Sequence, residues 1–268
     1  MPPTGIEGLP DEMLLEIAKL LANQGQQDIC HFSLCSKRTL SIGTPELYRN
    51  VQLTGTKSVS LLLRSFSCSK DLTDRVRSLS VEANDDFEDD AQSDHTQGDH
   101  SESDFVRDCL PLLPPDRTIP FLNYLATRDE GYKYSIQEGL GEEYRLALLV
   151  LQLSKLTELS LNVPWTPPPV VYLMKFALQK KLFVDLSKIT IDSRYDEERV
   201  AISPFLLQPS LKTFKSSGLA VRFSFFNNKA GCPTVLPIRD LNLASVSIRG
   251  FDYGGLETMM MKENSAKL

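Results

Sequence analysis

Leu156-Thr157-Glu158-Leu159-Ser160-Leu161 is the stretch on which the fold turns. Leu159 and Leu161 alternate with polar Glu158 and Ser160, the signature of a short strand with one apolar and one polar face. Leu156, three residues ahead of the pair, supplies a further apolar anchor. The same arrangement returns in Leu186-Ser187-Lys188-Ile189-Thr190-Ile191 and in Leu211-Lys212-Thr213-Phe214. The alternating pair alone recurs as Val51-x-Leu53, Leu79-x-Val81, Phe214-x-Ser216 and Leu241-x-Leu243. Four of the five intervals between these pairs are 28, 30, 25 and 27 residues, so the chain from Val51 onward reads as an array of similar units. The fifth, from Leu79 to Leu159, is 80 residues long.

Apolar helical stretches separate the strands: Val59 to Phe66, Tyr144 to Leu153, and Val170 to Leu178, the last entered through Pro167-Pro168-Pro169. One strand and one helix per unit is what a solenoid requires, because no unit can bury its apolar face alone. The L-x-x-L-x-L strand resembles that of leucine-rich repeats in degenerate form. The Asn that usually follows the strand is present only as Asn162. The resemblance implies an irregular α/β solenoid over residues 51–251, with an α/β domain of evenly spaced strands as the alternative. Residues between the core positions should then line the inner face of the arc: Ser80, Ser160, Thr190, Lys215 and Asn242, flanked by Glu158, Lys188 and Asp240. That face is the expected binding surface for a protein target.

The formal charge of −6 is local in origin. Residues 82–104 hold ten Asp or Glu and no Lys or Arg, leaving a formal +4 on the rest of the chain. The segment EANDDFEDDAQSDHTQGDHSESD lacks apolar density and reads as a disordered acidic insertion. His95 and His100 lie among its carboxylates without the spacing of a zinc or calcium site, so no metal is expected. Residues 252–268 read as a C-terminal cap or tail.

The first fifty residues have a different character. Pro10 suits a first helical position, and Asp11 and Glu12 complement the positive end of a helix. Leu14, Ile17, Ala18 and Leu21 repeat at helical spacing, while Met13, Leu15 and Leu20 widen the apolar surface beyond a single stripe. Asp28 reads as the N-cap of a second helix through Ile29, Phe32 and Leu34. Lys37 and Arg38 interrupt it before Leu40 and Ile42, and Thr44-Pro45 reads as the cap of another short turn. More apolar side chains are present than one small core can bury.

LPDEMLLEIAKLL (residues 9–21), DICHFSLCSKRTL (28–40) and TPELYRNVQL (44–53) together resemble an F-box of the form common in fungal F-box proteins. The likeness spans about residues 6 to 53, with Thr39-Leu40 standing where the family often has an aromatic. It implies a three-helix F-box over residues 6–50 that docks on the Skp-type adaptor of an SCF-type cullin-RING ubiquitin ligase. The docking candidates are Leu9, Pro10, Leu14, Leu15, Ile17, Leu21, Ile29, Leu34, Pro45 and Leu47, with Glu12 and Lys37 as polar orienters. The function expected is recruitment of a target protein to the ligase. The alternative is a non-ligase interaction scaffold of leucine-rich-repeat type.

No enzyme chemistry is expected. Two of the three histidines lie in the acidic stretch, and the third, His31, shares a helix face with Cys35 on an apolar helix, where packing is the ordinary reason for such a pair. No phosphate-cradling glycine loop accompanies Gly254-Gly255, and no cofactor is implied. Five cysteines without a Cys-x-x-Cys pair fit a reducing compartment, so a cytoplasmic or nuclear protein is expected. The longest apolar run, around Leu146 to Leu153, is far below the ~20 residues of a membrane span. A basic stripe with interleaved aromatics is lacking, which leaves nucleic acid unsupported as a partner.

Overall fold

A computed structural model describes residues 5–82, 109–129, 132, 140–162, 168–192, 199–201, 203–217, 220–222, 238–244 and 247–248. Three helices open the chain: α1 (Asp11–Gln24), α2 (Gln26–Leu34) and α3 (Lys37–Leu47). The helical units that follow are α4 (Thr56–Cys68), α5 (Lys70–Thr73), α6 (Pro115–Arg128), α7 (Glu142–Gln152), α8 (Pro168–Lys180) and α9 (Ser203–Leu206). Interleaved with them are the strands β1 (Asn50–Thr54), β2 (Ser78–Glu82), β3 (Glu158–Asn162), β4 (Lys188–Asp192), β5 (Arg199–Ala201), β6 (Thr213–Ser217), β7 (Ala220–Arg222), β8 (Asp240–Ala244) and β9 (Ser247–Ile248). The molecule is α/β, and no helix among the described residues is long and apolar enough to cross a membrane.

Local chemistry explains the helix boundaries and corrects two expectations. Gly25, not Asp28, is the N-cap of α2, and Asp28 falls within its first turn. Ser36 opens α3 through a reciprocal capping box, in which Ser36 Oγ accepts from the Thr39 amide (3.2 Å) and Thr39 Oγ1 accepts from the Ser36 amide (2.9 Å). Pro45 then lies inside α3 instead of starting a new turn. Gly43 lets α3 approach α2 closely, since a Cβ at this position would collide with Ser33 Oγ. Arg38 ties α3 to the start of α1, donating from Nε to Asp11 Oδ1 (2.8 Å) and from Nη2 to the Leu9 carbonyl (2.7 Å).

The main sheet is six-stranded and parallel throughout, in the order β1-β2-β3-β4-β6-β8. Its register places Val51, Leu79, Leu159, Ile189, Phe214 and Leu241 side by side, so the evenly spaced pairs of the sequence form adjacent columns. Strands β1, β2, β3, β4 and β6 each bury their second and fourth residues and leave the other three partly or fully exposed. The leading leucine also belongs to a column. Leu156, Leu186 and Leu211 are fully buried, and Val76, also fully buried, together with half-buried Tyr48 and Ile238, holds the same place ahead of the other strands. The carbonyl just before β1, β2, β3, β4 and β6 accepts two amides from the segment leading into the next strand of this sheet: Arg49 from Arg77 and Ser78, Arg77 from Thr157 and Glu158, and so on to Lys212, which accepts from Arg239 and Asp240.

Helices α4, α7 and α8 pack in succession against one another, and their apolar residues merge with the inward strand residues into one core. Arg145 crosses between α7 and α4, donating to the Leu140 carbonyl (2.7 Å) and to Ser60 Oγ (3.0 Å). Four tyrosines gather where α6, α7 and α8 meet. Tyr132 and Tyr144 have ring centroids 5.7 Å apart, Tyr144 donates its hydroxyl to Asp129 (2.9 Å), Tyr124 lies against Phe176, and Tyr172 carries Lys175 over its ring.

A second, three-stranded parallel sheet, β5-β7-β9, follows the ends of β4, β6 and β8 and had no counterpart in the sequence reading. The expected acidic insertion loses its first residue to the sheet, because Glu82 closes β2; residues 83–104 and the tail at 252–268 lie outside the described residues.

Candidate interaction surfaces

The amino-terminal helices form a core of their own from Leu14, Ala18, Ile29 and Phe32, against which Leu9, Ile17, Leu21, Ile42 and Leu47 pack while half-buried. This corrects two of the twelve docking candidates. Leu14 is 0% exposed and Ile29 1%, so neither has surface to offer a partner. Leu15 and Pro45 are half-buried, and Pro10, Glu12 and Lys37 are exposed. Leu34 is 75% exposed. The structure adds three residues that the candidate set lacks: Leu20 at 64%, Met13 at 52% and Leu40 at 47%. Met13 and Leu20 stand two turns apart and so share one side of α1. Four large apolar side chains thus stand exposed within one small helical unit.

The module rests lightly on the sheet. Gln26 accepts the Gln52 amide of β1 through its side-chain oxygen (3.2 Å), and Tyr48 lies against Phe66 with ring centroids 6.4 Å apart. The Gln26 contact occupies an amide on the outer edge of β1, which an unpaired strand would otherwise leave open to pairing.

The outward face of the main sheet carries every residue proposed for target binding. Gln52, Ser80, Ser160, Thr190, Lys215 and Asn242 form its central column, and Asn50, Ser78, Glu158, Lys188, Thr213 and Asp240 the neighbouring one. The face has no aromatic or aliphatic side chain in these columns and is built mainly from short hydroxyl and amide groups. Lys188 and Glu158 are joined at 3.0 Å and neutralise each other, and Thr213 Oγ1 lies 3.4 Å from Asp240 Oδ2. Lys215 is the one cation of the central column that is exposed. On the third column Ser217 donates to Asp192.

Ser216 is the exception on the buried side. It occupies an inward position that Leu53, Val81, Leu161 and Ile191 fill in the earlier strands, is 3% exposed, and its hydroxyl has no hydrogen-bond partner. His31 and Cys35 do not form a nucleophile and base: Cys35 Sγ donates to the His31 main-chain carbonyl (3.3 Å).

Two adjoining clefts lie where α1–α3 meet the sheet. One, of about 540 Å³, is lined by Arg49, Arg75, Arg77 and Lys155 with Glu46, Asp71 and Asp74. The other, of about 670 Å³, runs from the α1–α2 turn over Asn50, Gln52, Ser78 and Glu158. Glu46, Arg49 and Arg77 line both.

The chain matches no protein-family model, no curated protein and no solved structure.

Proposed function

We propose that this chain is a substrate-recruiting subunit of an SCF-type cullin-RING ubiquitin ligase, holding a Skp-type adaptor with its amino-terminal helices and a target protein with the sheet. The observation that carries the reading is the surplus of apolar surface on a module whose core is already closed: Met13, Leu20, Leu34 and Leu40 face solvent around buried Leu14, Ala18, Ile29 and Phe32. The F-box likeness of residues 6–53 gives that surplus a specific occupant. The sequential parallel strands, one per unit of 25 to 30 residues for most of the chain, support an irregular leucine-rich-repeat-like solenoid whose polar face meets the target. The chain's role is to bring two proteins together, in the cytoplasm or nucleus, and it makes or breaks no bond itself.

The test is affinity purification of the tagged full chain with the adaptor. Burying a few large side chains at roughly 1.5–3 kcal/mol each supplies ample gross interaction energy against the association penalty. Leu34→Asp with Leu40→Asp should therefore reduce adaptor capture at least 100-fold while the circular dichroism melt stays unchanged. Leu14→Asp is unsuitable for this purpose because it breaks the core. Adaptor retained by the double variant would refute this interface, and failure of the unaltered chain to bring down an adaptor at any salt would leave the scaffold alternative.

A further inference from the structure

The edge of the sheet at which its strands begin is lined with cations. Arg49, Arg77, Lys212 and Arg239 each stand immediately before a strand, at β1, β2, β6 and β8. Arg75 and Lys155 occupy the turns leading into β2 and β3. Lys180 and Lys181 close α8, which returns to this edge because consecutive strands are parallel. Opposing them are Glu46, Asp71, Asp74 and Asp185. Helix ends attract cations for reasons of their own, and that accounts for the α8 lysines. It does not account for four cations placed directly ahead of strands.

What sets this edge apart is alignment, since among the described residues exposed Lys37, Arg64, Lys70 and Lys215 elsewhere also have no carboxylate within 4.0 Å but stand singly. Arg49 meets Glu46 at 3.5 Å, but among the described residues Arg75, Arg77, Lys155, Lys212 and Arg239 have no carboxylate within 4.0 Å. Arg77 is also held in place. Its Nη1 donates to the carbonyls of Asp74 (2.7 Å) and Val76 (3.2 Å), which fixes a guanidinium on the wall shared by both clefts. An ordered cation of this kind loses little conformational freedom when it meets an anion.

We infer that this edge is a second docking surface, which takes an extended, acidic stretch of a partner polypeptide. Six strands at about 4.8 Å spacing make the edge about 24 Å long, the length of roughly seven extended residues. Unpaired cations at intervals along it match alternate acidic side chains. The interspersed Asp71, Asp74 and Asp185, and the lack of exposed aromatics ahead of the strands among the described residues, favour a peptide over nucleic acid, whose phosphates are continuous and whose bases need stacking partners. The inference deepens the recruiting reading by naming the chemistry of the target, but the purified chain tests it without an adaptor.

The probe is a fluorescein-labelled decapeptide of alternating Glu and Ser, followed by anisotropy at 50 and 200 mM NaCl, with a Gln-Ser decapeptide and a ten-nucleotide oligothymidine as comparisons. The expected result is binding of the acidic peptide that weakens at least 5-fold at the higher salt. Arg75→Glu with Lys155→Glu, or Lys212→Glu with Arg239→Glu, should weaken it at least 10-fold further. All four residues are exposed, so the fold should survive. Arg64→Glu, on the exposed side of α4, should change it less than 2-fold and so separates the edge from net charge. Equal binding of the neutral peptide, no loss in either double variant, or tighter binding of the oligonucleotide would each overturn the inference, whatever the adaptor experiment gives.

Discussion

The amino-terminal helices and the six-stranded sheet solve the same problem in opposite ways. The sheet shares one continuous interior among strands, α4, α7 and α8, and shows solvent a face of hydroxyls, amides and paired charges. The helical module encloses just four apolar side chains, Leu14, Ala18, Ile29 and Phe32, and it leaves Leu34 and Leu20 outside at 75% and 64% exposure. The larger unit also exposes Leu61, Leu112, Ile119 and Val184 at 53–65%, but these are few beside the apolar side chains its core encloses, whereas a three-helix unit runs out of interior sooner. The small unit therefore keeps the larger share of its apolar side chains outside its core. The outward face of the sheet offers charge and hydrogen-bonding groups instead.

The strongest way to break that contrast is to make the same deletion in both interiors. Leu159 in β3 and Leu14 in α1 are each at most 1% exposed. Leu159→Ala lies between Leu79 and Ile189 on adjoining strands, where the structure has little room to collapse, and should cost about 4–5 kcal/mol. Leu14→Ala is ringed by half-buried Ile17, Leu21 and Ile42, which can move inward, and should cost about 2–3 kcal/mol. Urea denaturation of the two variants checks the order. Equal losses would mean that the module is packed as tightly as the sheet.

A second contrast is set by titration. Burial pushes Tyr132 up to about 12, and raises Tyr144 still further, with the hydrogen bond to Asp129 adding to the effect of burial. Desolvation by burial also raises Tyr124. The unfolded chain ionises its tyrosines near pH 10. Between pH 10 and 12 the unfolded state loses protons that the folded state keeps, so stability contributed by these groups is intact below pH 10 and declines across that window. The three helices from Asp11 to Leu47 contain no tyrosine. Melts from pH 9 to 12 should show the sheet-side transition falling, and Tyr132→Phe should flatten the fall. A slope unchanged by Tyr132→Phe would rule out this tyrosine as its source.

Much of the sheet was legible because its determinants are local. Val51 and Leu53, or Ile189 and Ile191, announce a half-buried strand within three residues, and the parallel register follows once similar units are stacked. The column of Tyr48, Val76 and Ile238 was less visible, since three different residue types fill the place that leucine marks in the other units. Strands β5, β7 and β9 are two or three residues long, too short for any alternation to show. In the helical module the surplus of apolar residues could be read, but its distribution could not. On a helix that is apolar nearly all round, the choice of Leu14 over Met13 for the interior depends on where α2 and α3 lie, and Gly43 and the Ser36–Thr39 box set that from a distance. The basic edge was missed because its residues are 28, 135 and 27 positions apart in the chain and meet only when the strands align.

The smallest effect bears on how complete the division between the polar and apolar faces is. Ser216 lies on the apolar side of β6, beside Ile191, with its hydroxyl enclosed and unpartnered. A buried hydroxyl without a partner forfeits the hydrogen bonds it made to water, a penalty of about 1–3 kcal/mol. Replacing it with a methyl group removes the polar atom and leaves a void smaller than a methylene pair, so Ser216→Ala should raise stability by about 1 kcal/mol. The same substitution on the other face, Ser160→Ala, removes a half-buried, outward-facing hydroxyl and should shift stability by less than ~0.5 kcal/mol. Urea midpoints of the two variants read the difference directly. If Ser216→Ala is neutral or destabilising, the hydroxyl has a partner in solution, and the inner side of β6 is not the dry interior that the other strands present.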